Sequence, residues 1–585
     1  MSRLARMYSS LANHEFRLLT LEPGQNGDWI SCSLTVHSLE ETPAPQFETV
    51  SYCWGNSGTP RWININGSRC PVPPSSEQVL RRMRLPNLVR VLWIDAICIN
   101  QNDLGERACQ VAMMGQIYSY GLRNLIHLGS LQDDNAGIPV QALRAAYHKL
   151  EQAVDALTIY ERQQWEEWRN EPESWNDDPL FEEADIAPLE PLFRLPWFTR
   201  LWVIQEVCLA QENLCHWGTT DFPLFWITEL AQFNVSTPDW WCEASETGYS
   251  TVFWLQETFD TKKYPRSTAL NNLFELSHRM CTKEPHDRIF AIRQLLLNAA
   301  ATEGDSDLLV VDYSKQIEAV LRDATIFILA HSGSDAILDD LFHETEAEMH
   351  TTGIPTWSAP WLFENDKHGP YGSRGKYAGS PSVGKLLPFK IQRNKEPAMI
   401  STNGFLVGEV TRSTPSFDFL NDFKAVARAM DAALDQIIPT APRNLSSYET
   451  AVLVLTGGWL PKRFENLTHA AQCLQDLYRR GTVSERRVQD NISSQLQNEL
   501  DIHISKHSSW CCFFSLGSKF VGSGPRIMRK GDQVVIPIGA HLPYILRPTR
   551  ADADDFYFVG TALIPGLLDG EVFDLGLEER RFKLR

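Results

Sequence analysis

The first part of the chain opens with two patterns typical of β-hairpins. Apolar and polar residues mix in the runs Phe16–Leu21 and Ile30–Val36, which flank a turn-forming segment of Pro, Gly, Asn and Asp. Farther on, Trp62–Ile65 and Ser68–Val72 lie on either side of Asn66-Gly67. Asn-Gly is the dipeptide preferred in tight two-residue turns, so we predict a second hairpin here.

Between residues 47 and 130, strand-like and helix-like segments alternate. Val89–Ile94 is apolar except for one arginine, which suits a central strand buried on both faces. The alternation predicts an α/β layer around a central, mostly parallel sheet. The predicted strands are Phe47–Trp54, Val89–Ile94 and Leu125–Leu128, and the predicted helices are Ser75–Arg84, with Ser75 or Ser76 as N-cap, and Asn102–Tyr120.

The rest of the chain divides by pattern into less regular regions. An acidic, proline-bearing stretch before residue 195 suggests an inserted loop, and glycine-punctuated apolar runs after residue 508 predict short strands in a small barrel or sheet. The predicted regions are 1–46, an N-terminal β-hairpin extension; 47–210, an α/β domain with an insertion at about 130–195; 211–345, helical; 346–505, a variable loop and helical region; and 506–585, β-rich.

Composition excludes several classes of protein. The chain is 43% hydrophobic, enough for a large core, and its formal net charge of −19 disfavours nucleic acid as a partner. No stretch reaches the ~18 uninterrupted apolar residues of a spanning helix, and no secretory leader is evident, so a cytoplasmic protein is expected. The cysteines form no C-x-x-C pair, so we predict no metal site.

Three segments stand out together: Val50–Gly55, Leu92–Gln101 (followed by Glu106-Arg107) and Pro196–Glu206. They resemble the three signature blocks of the heterokaryon-incompatibility (HET) domain of filamentous fungi, in that family's order and near its usual spacing. Shorter segments resemble later parts of HET proteins: Asp287–Ala291, Val311–Ser314, and Gly531-Asp532 with Leu546-Arg547-Pro548.

This resemblance implies a role in fungal vegetative incompatibility. HET proteins act in self/non-self recognition, where growth arrest or programmed cell death follows the fusion of unlike hyphae. The resemblance also implies protein partners, or self-association through the HET domain. Two further possibilities stay open: a non-enzymatic homotypic signalling or scaffolding module, and an accessory HET protein without a role in cell death.

HET domains resemble, distantly, the Toll/interleukin-1 receptor (TIR) domains, some of which cleave NAD with one glutamate. That resemblance implies Glu206 as the catalytic carboxylate and NAD as a substrate, with no firmly bound cofactor. Trp202 lies four positions earlier, on the same predicted helix face, where an indole suits a flat ring. The remaining candidate ligand-binding residues lie at the carboxyl ends of predicted strands, where open α/β sheets bind ligands: Ser51, Tyr52, Trp54 and Asp95.

A structural interpretation stands beside the catalytic one, so whether the chain is an enzyme stays open. Trp202 can be a core residue, and Glu206 can form a structural ion pair with Arg200 or Arg107. Asp95 can bind ribose or a metal, or it can cap the following backbone. Asp103 and Glu106 have a spacing like that of a capping box.

Overall fold

The structure is a computed structural model, and it divides into two compact units, Met1–Gln316 and Ile317–Arg585. Each unit is described by itself. The described residues are 7–25, 27–55, 58–129, 136–155, 181, 183–233, 251–252, 255, 266–300, 305–339, 341, 343, 345–350, 353–359, 388–393, 398–414, 445–456, 466–472, 474, 511–517, 519–550, 554–567 and 570–585.

The first unit is built on a sheet of nine described strands in the order β5-β4-β2-β1-β6-β3-β7-β8-β9. Both predicted hairpins are present in it, as the antiparallel pairs β1–β2 and β4–β5. The strands are β1 Glu15–Leu21, β2 Ser31–Ser38, β3 Glu48–Tyr52, β4 Arg61–Ile65, β5 Ser68–Val72, β6 Arg90–Trp93, β7 Asn124–His127, β8 Asn213–Trp217 and β9 Thr220–Pro223.

The prediction of a mostly parallel sheet is correct only for the centre. Strands β6, β3, β7 and β8 are parallel to one another, whereas β1 pairs antiparallel with β6 and β9 pairs antiparallel with β8. The sheet as a whole is therefore mixed. The reason is that the tight hairpins add antiparallel neighbours at both sides, while only the longer helical connections can return the chain in parallel.

The central strands β3 and β6 belong to the buried core of the first unit. Every residue of β3 is buried, and Leu92, Trp93 and Ile94 at the end of β6 have no exposed surface. Trp93 packs edge-on against Tyr118 of the helix Leu104–Tyr120, with ring centroids 5.6 Å apart. This packing fixes the carboxyl ends of β3 and β6 beside each other.

The helices of the first unit connect and cover these strands. The predicted N-cap of the first helix is wrong: Pro73 occupies that position, and the hydroxyls of Ser75 and Ser76 bond instead to the end of β3. The helices are α1 Pro74–Met83, α2 Asp95–Cys98, α3 Leu104–Tyr120, α4 Gly137–Asp155, α5 Glu183–Ile186, α6 Glu190–Phe193, α7 Val203–Cys208, α8 Phe225–Phe233, α9 Arg266–Arg279, α10 Asp287–Phe290 and α11 Arg293–Ala300.

Helix α3 is fixed at its start by the residues that the sequence singles out. Asp103 caps it by accepting a hydrogen bond from the Glu106 amide at 3.0 Å, as the spacing predicts. The Glu106 carboxylate forms a buried ion pair with Arg17 of β1, and it also accepts the Asn100 amide at 2.7 Å. Arg107 lies over the ring of Tyr313 at 4.2 Å. Glu106-Arg107 therefore ties α3 to two neighbouring elements.

Part of the predicted insertion lies outside the described residues, namely 130–135, 156–180 and 182. Within the range 130–195, the structure gives α4 and the short helices α5 and α6. Of the predicted variable loop and helical region, 346–505, only short pieces fall within the described ranges.

The second unit contains a small barrel. Strands β11, β15, β16, β17 and β18 follow one another in a sheet, and β18 also pairs with β11, which closes the ring. Strand β11 was not predicted, because it lies in a region read as loop and helix. The strands are β10 Gln392–Arg393, β11 Ile400–Glu409, β12 Arg412–Ser413, β13 Cys511–Leu516, β14 Phe520–Pro525, β15 Gln533–Pro537, β16 Tyr544–Pro548, β17 Asp555–Thr561 and β18 Glu579–Leu584.

Close strand packing in the barrel requires one glycine in particular. A Cβ atom on Gly404 would lie 2.5 Å from the carbonyl oxygen of Ile536, closer than van der Waals contact allows. Glycine at this position lets β11 approach β15. The helices described in this unit are α12 Ile317–Ser332, α13 Glu346–Met349 and α14 Ser447–Thr456.

A buried ion pair joins the two segments Gly531-Asp532 and Leu546-Arg547-Pro548, which were noted for their resemblance to HET proteins. The Arg547 guanidinium donates to both oxygens of the Asp532 carboxylate, at 2.8 and 2.9 Å, and both side chains are at most 4% exposed. Burial by itself lowers the pKa of Arg547, but the Asp532 carboxylate outweighs it and the pKa is raised. The pair joins the loop before β15 to strand β16.

In the described residues, no helix is both long and apolar enough to cross a membrane.

Candidate functional site

The three signature blocks converge at the carboxyl ends of the central parallel strands. Ser51 and Tyr52 end β3, and Asp95 follows β6. The third block supplies the one-turn helix Pro196–Thr199 and helix α7, which carries Glu206. The predicted association of these blocks is therefore present, and we call Ser51, Asp95, Arg200 and Glu206 the polar cluster.

Glu206 lies at the centre of the polar cluster and is 1% exposed. Its Oε2 atom accepts a hydrogen bond from the hydroxyl of Ser51. That hydroxyl in turn accepts a hydrogen bond from the Trp197 indole at 2.8 Å. A carboxylate, a hydroxyl and an indole thus form one chain of hydrogen bonds, which links the first and third signature blocks inside the core.

Arg200 supplies the positive charge of the polar cluster. Its guanidinium lies 3.5 Å from Glu206 Oε1, and Glu206 is the leading cause of its raised pKa, against burial, which lowers it. Its backbone is fixed by a bridge to Cys281: the Cys281 amide donates to Thr199, and the Leu201 amide donates to Cys281. Of the two arginines considered as partners for Glu206, Arg200 is the one in contact.

Asp95 and Trp54 form the outer part of the site. The Trp54 indole donates to both oxygens of Asp95, at 3.2 and 3.1 Å, and Trp54 is 42% exposed. Burial, reinforced by the nearby charge of Glu206, raises the pKa of Asp95 to about 7. Asp95 also accepts the Ala96 amide at 2.7 Å, so the capping role is present together with the position in the polar cluster.

The Tyr52 hydroxyl takes no part in the chain of hydrogen bonds that runs through Ser51. This hydroxyl is 2.9 Å from that of Ser76 on α1, and burial raises its pKa well above the usual range. The charges of Asp95 and Glu206 add to this effect. Tyr52 therefore stays neutral and anchors α1 to the end of β3.

Trp202 directly precedes α7, which carries Glu206, and the side chains of the two residues have different partners. The Trp202 indole donates to Asp287 at 2.9 Å, and the Tyr313 hydroxyl donates to the other oxygen of Asp287, also at 2.9 Å. The structure thus places Trp202 with Asp287 and Tyr313 rather than with the polar cluster. Asp287 holds the start of α7 in place. This contact gives the Asp287–Ala291 segment, noted for its resemblance to HET proteins, a structural role.

Sequence patterns did not identify Trp197 or Asp287 as parts of this arrangement. Trp197 belongs to the third signature block, and Asp287 to a segment noted only for its resemblance. The available signal was their occurrence in those blocks; the contacts themselves depend on residues more than 80 positions away.

The surroundings of the polar cluster define what it can do chemically. Among the described residues, no group of three or more His, Cys, Asp or Glu side chains is placed to hold a metal ion. Both Glu206 oxygens contact protein groups, so in this conformation the carboxylate is available neither to a nucleophile nor to a ribose hydroxyl. The arrangement is a buried network with one partly exposed acid, Asp95.

The elevated pKa of Asp95 predicts a pH-dependent stability. In the folded chain Asp95 keeps a proton up to about pH 7, whereas at its ordinary pKa of 3.8 it ionises earlier in the unfolded chain. The folded state thus binds more protons between these values, so this contribution to stability falls as pH rises. We expect Asp95→Asn to gain unfolding free energy relative to the wild type from about pH 4 to 7, measured by urea titration.

Above about pH 7.5 the difference between Asp95→Asn and the wild type should become constant. A difference that does not vary across this range would show that Asp95 titrates normally. The matched control is Asp312→Asn, since the pKa of Asp312 is lowered by hydrogen bonds from Ser314.

A second prediction concerns the contact that holds Trp202. Asp287→Ala removes the acceptor for both the Trp202 indole and the Tyr313 hydroxyl, and should cost about 2–3 kcal/mol of local stability. Hydrogen exchange of peptides that cover α7 would measure the loss. Asp312→Ala serves as the control, because the Asp312 carboxylate accepts hydrogen bonds from its near neighbours in the chain, Ser314 and Lys315. Equal protection of α7 in both variants would argue against this role of Asp287.

Two family models match the chain. One, described as "Heterokaryon incompatibility protein (HET)", matches residues 47–206, which end at Glu206 and include all three signature blocks. The other, described as "Het-6 beta-barrel domain", matches residues 504–584. The chain therefore contains a HET domain at residues 47–206 and a Het-6 β-barrel domain at residues 504–584.

A curated relative is similar along nearly the whole length. It is "Heterokaryon incompatibility protein 6, OR allele" from Neurospora crassa, 23% identical to this chain, and the match covers 96% of this chain and 95% of the relative. No solved structure matches the chain. The similarity thus includes both domains and the region between them.

Proposed function

We propose that this chain acts in heterokaryon incompatibility, as a cytoplasmic protein that triggers growth arrest or cell death when unlike hyphae fuse. The observation that carries this proposal is the joint presence of a HET domain and a Het-6 barrel domain in one chain. A relative that matches along nearly the whole of both chains and has an incompatibility name supports it. Protein partners, or other copies of the chain, would supply the trigger.

For the mechanism, we favour non-enzymatic signalling by the HET domain. Glu206 is 1% exposed, and its two oxygens contact Ser51 and Arg200. A carboxylate that cleaves a nicotinamide–ribose bond must reach the reacting sugar, so this geometry supports a structural role. In this mechanism the polar cluster holds the three signature blocks together, and the HET domain signals through contacts with its partners.

TIR-like cleavage of NAD is the second candidate. It is supported by the order of the parallel strands β6-β3-β7-β8, in which the first strand along the chain lies second in the sheet. Doubly wound folds with this order bind nucleotides outside the carboxyl ends of the strands, where the polar cluster lies. The raised pKa of Asp95 adds a feature common at reactive sites.

Catalysis would require a different conformation of the site. Trp54 would have to release Asp95, and Glu206 would have to exchange its contacts with Ser51 and Arg200 for a bound sugar. The energy for such a change would come from assembly or from the bound substrate. This requirement makes the second candidate testable against the first.

The role in incompatibility is tested by hyphal fusion. A fungal strain that expresses this chain should form dead compartments, visible with a vital dye, after fusion with a strain that carries a diverged form of the partner. Fusions between identical strains should stay alive. Survival of the mixed fusions at normal abundance of the protein would contradict the proposed function.

The same assay separates the two mechanisms. If signalling is non-enzymatic, Glu206→Gln should still kill fused compartments whenever its folded abundance matches that of the wild type. If NAD cleavage is the mechanism, this variant should be silent at equal abundance. Glu190→Gln is the matched control, because Glu190 lies exposed on α6 and contacts only Arg194.

A further inference from the structure

A cavity of about 1090 Å³ lies in the first unit, away from the polar cluster. Its walls are α3, α11 and the segment 10–14 that precedes β1. None of the residues of the polar cluster lines it. Sites for small ligands occupy roughly 300–1,000 Å³, so this cavity is large enough for an organic ligand or a short stretch of polypeptide.

A buried amide on the cavity wall lacks one hydrogen-bond partner. Gln110 of α3 is 2% exposed, and its Nε2 atom donates to the carbonyl of Glu15 at 2.7 Å. Its Oε1 atom has no partner among the described residues. An unsatisfied buried acceptor costs about 1–3 kcal/mol, which a ligand with an N–H or O–H group would recover.

A cation on the facing helix lacks an opposite charge. Arg293 begins α11, and its Nε atom donates to the carbonyl of Leu309 at 2.6 Å. Burial lowers its pKa, and no carboxylate in the described parts of the chain offsets this effect. The acids on the other wall are engaged elsewhere: Asp103 caps α3, and Glu106 pairs with Arg17.

The other residues that line the cavity are both polar and apolar, which suits a partly polar ligand. Gln116, Gln294 and Asn298 contribute amides, and Met113 and Leu297 contribute apolar surface. A polyphosphate would require several cations, and among the described residues of this wall Arg293 is the sole lysine or arginine. A peptide-like molecule needs one cation, amides and apolar contacts, which the cavity provides.

We propose that this cavity binds a peptide-like carboxylate. The carboxylate meets the guanidinium of Arg293, an amide N–H donates to Oε1 of Gln110, and the apolar part of the ligand lies on Met113 and Leu297. Such a group is present in a free N-acyl amino acid and at the carboxyl end of a polypeptide. The site stands apart from the polar cluster, so it does not depend on the proposed function.

Fluorescence anisotropy of the full chain tests the proposal and distinguishes the two sources. The probes are a fluorescein-labelled pool of random hexapeptides with free carboxyl ends, the same pool amidated, and unlabelled N-acetylglutamate as competitor. We expect the free-acid pool to bind at least about tenfold more tightly than the amidated pool, the scale of one lost charge-assisted contact. Full displacement by N-acetylglutamate identifies a small-molecule site, and failure to displace identifies a polypeptide end.

The variant Arg293→Gln should weaken binding of the free-acid pool about tenfold or more, whereas Arg194→Gln, at an exposed residue directly after α6, should leave it unchanged. A second measurement, cysteine alkylation, uses the wild-type chain alone, so the test remains valid if Arg293→Gln misfolds. Cys109 lines the cavity and is exposed, as is Cys281, which does not line it. Ligand should slow alkylation of Cys109 only. Equal binding of both pools, or unslowed Cys109 alkylation at saturation, would overturn the proposal.

Discussion

Asp532→Ala should lower the local stability of the barrel by about 3–5 kcal/mol, the largest effect expected in the chain. The substitution removes the buried carboxylate that neutralises the guanidinium of Arg547, which is 4% exposed, and leaves it only the half-exposed Glu346 at 3.2 Å. It also removes the acceptor for the Arg529 amide, 2.9 Å from Asp532. Hydrogen exchange of peptides that cover β15 and β16 would measure the loss directly.

The neighbouring ion pair provides the control for this prediction. Arg529 and Glu346 are in contact at 2.8 Å but are both at least half exposed, so Arg529→Gln should change the same exchange rates by less than about 1 kcal/mol. Similar losses in both variants would mean that burial does not strengthen the Asp532–Arg547 pair. Peptides from the first unit should be unaffected in either variant.

Glu206→Gln should destabilise the HET domain by about 2–4 kcal/mol. The amide has the shape of the carboxylate, yet it leaves Arg200 without its nearest negative charge and offers the Ser51 hydroxyl a weaker acceptor. The loss should be concentrated in β3 and α7, which the hydrogen bond joins. Exchange of peptides covering residues 48–52 and 203–208 would report it.

The change in the pKa of Asp95 offers an independent check of the same substitution. Burial and the charge of Glu206, in that order, raise this pKa, so removal of the charge should lower it. Glu190→Gln should alter neither the exchange rates nor the titration, because Glu190 is exposed. Unchanged protection of β3 and α7 in Glu206→Gln would refute the structural role of this residue.

Local sequence patterns predicted much of the HET domain. Asn66 and Gly67 have φ values of 52° and 73°, the turn conformation that the dipeptide favours, and Asp103 caps α3 as its spacing predicts. These features depend on neighbours in the chain. The convergence of Ser51, Asp95 and Glu206 was expected from the resemblance and from the rule that parallel strands end at one edge.

Features that depend on distant partners were not predictable in the same way. Strand β11 ends at Glu409, whereas the other strands of the barrel ring begin only at Gln533, and its pairing with β18 cannot be inferred from its own composition. The contact of Trp202 with Asp287 likewise joins residues 85 positions apart. Helical spacing predicted that Trp202 and Glu206 share one helix face. This prediction requires a helix that includes both residues, and α7 begins only at Val203.

The most direct test of the account is NAD turnover by the purified full chain at physiological NAD concentration. We expect no release of nicotinamide above the rate in buffer, from the wild type, from Glu206→Gln or from Glu190→Gln, because the Glu206 carboxylate is held by Ser51 and Arg200 in the core. Nicotinamide release by the wild type and by Glu190→Gln, but not by folded Glu206→Gln, would contradict it and make Glu206 a catalytic residue.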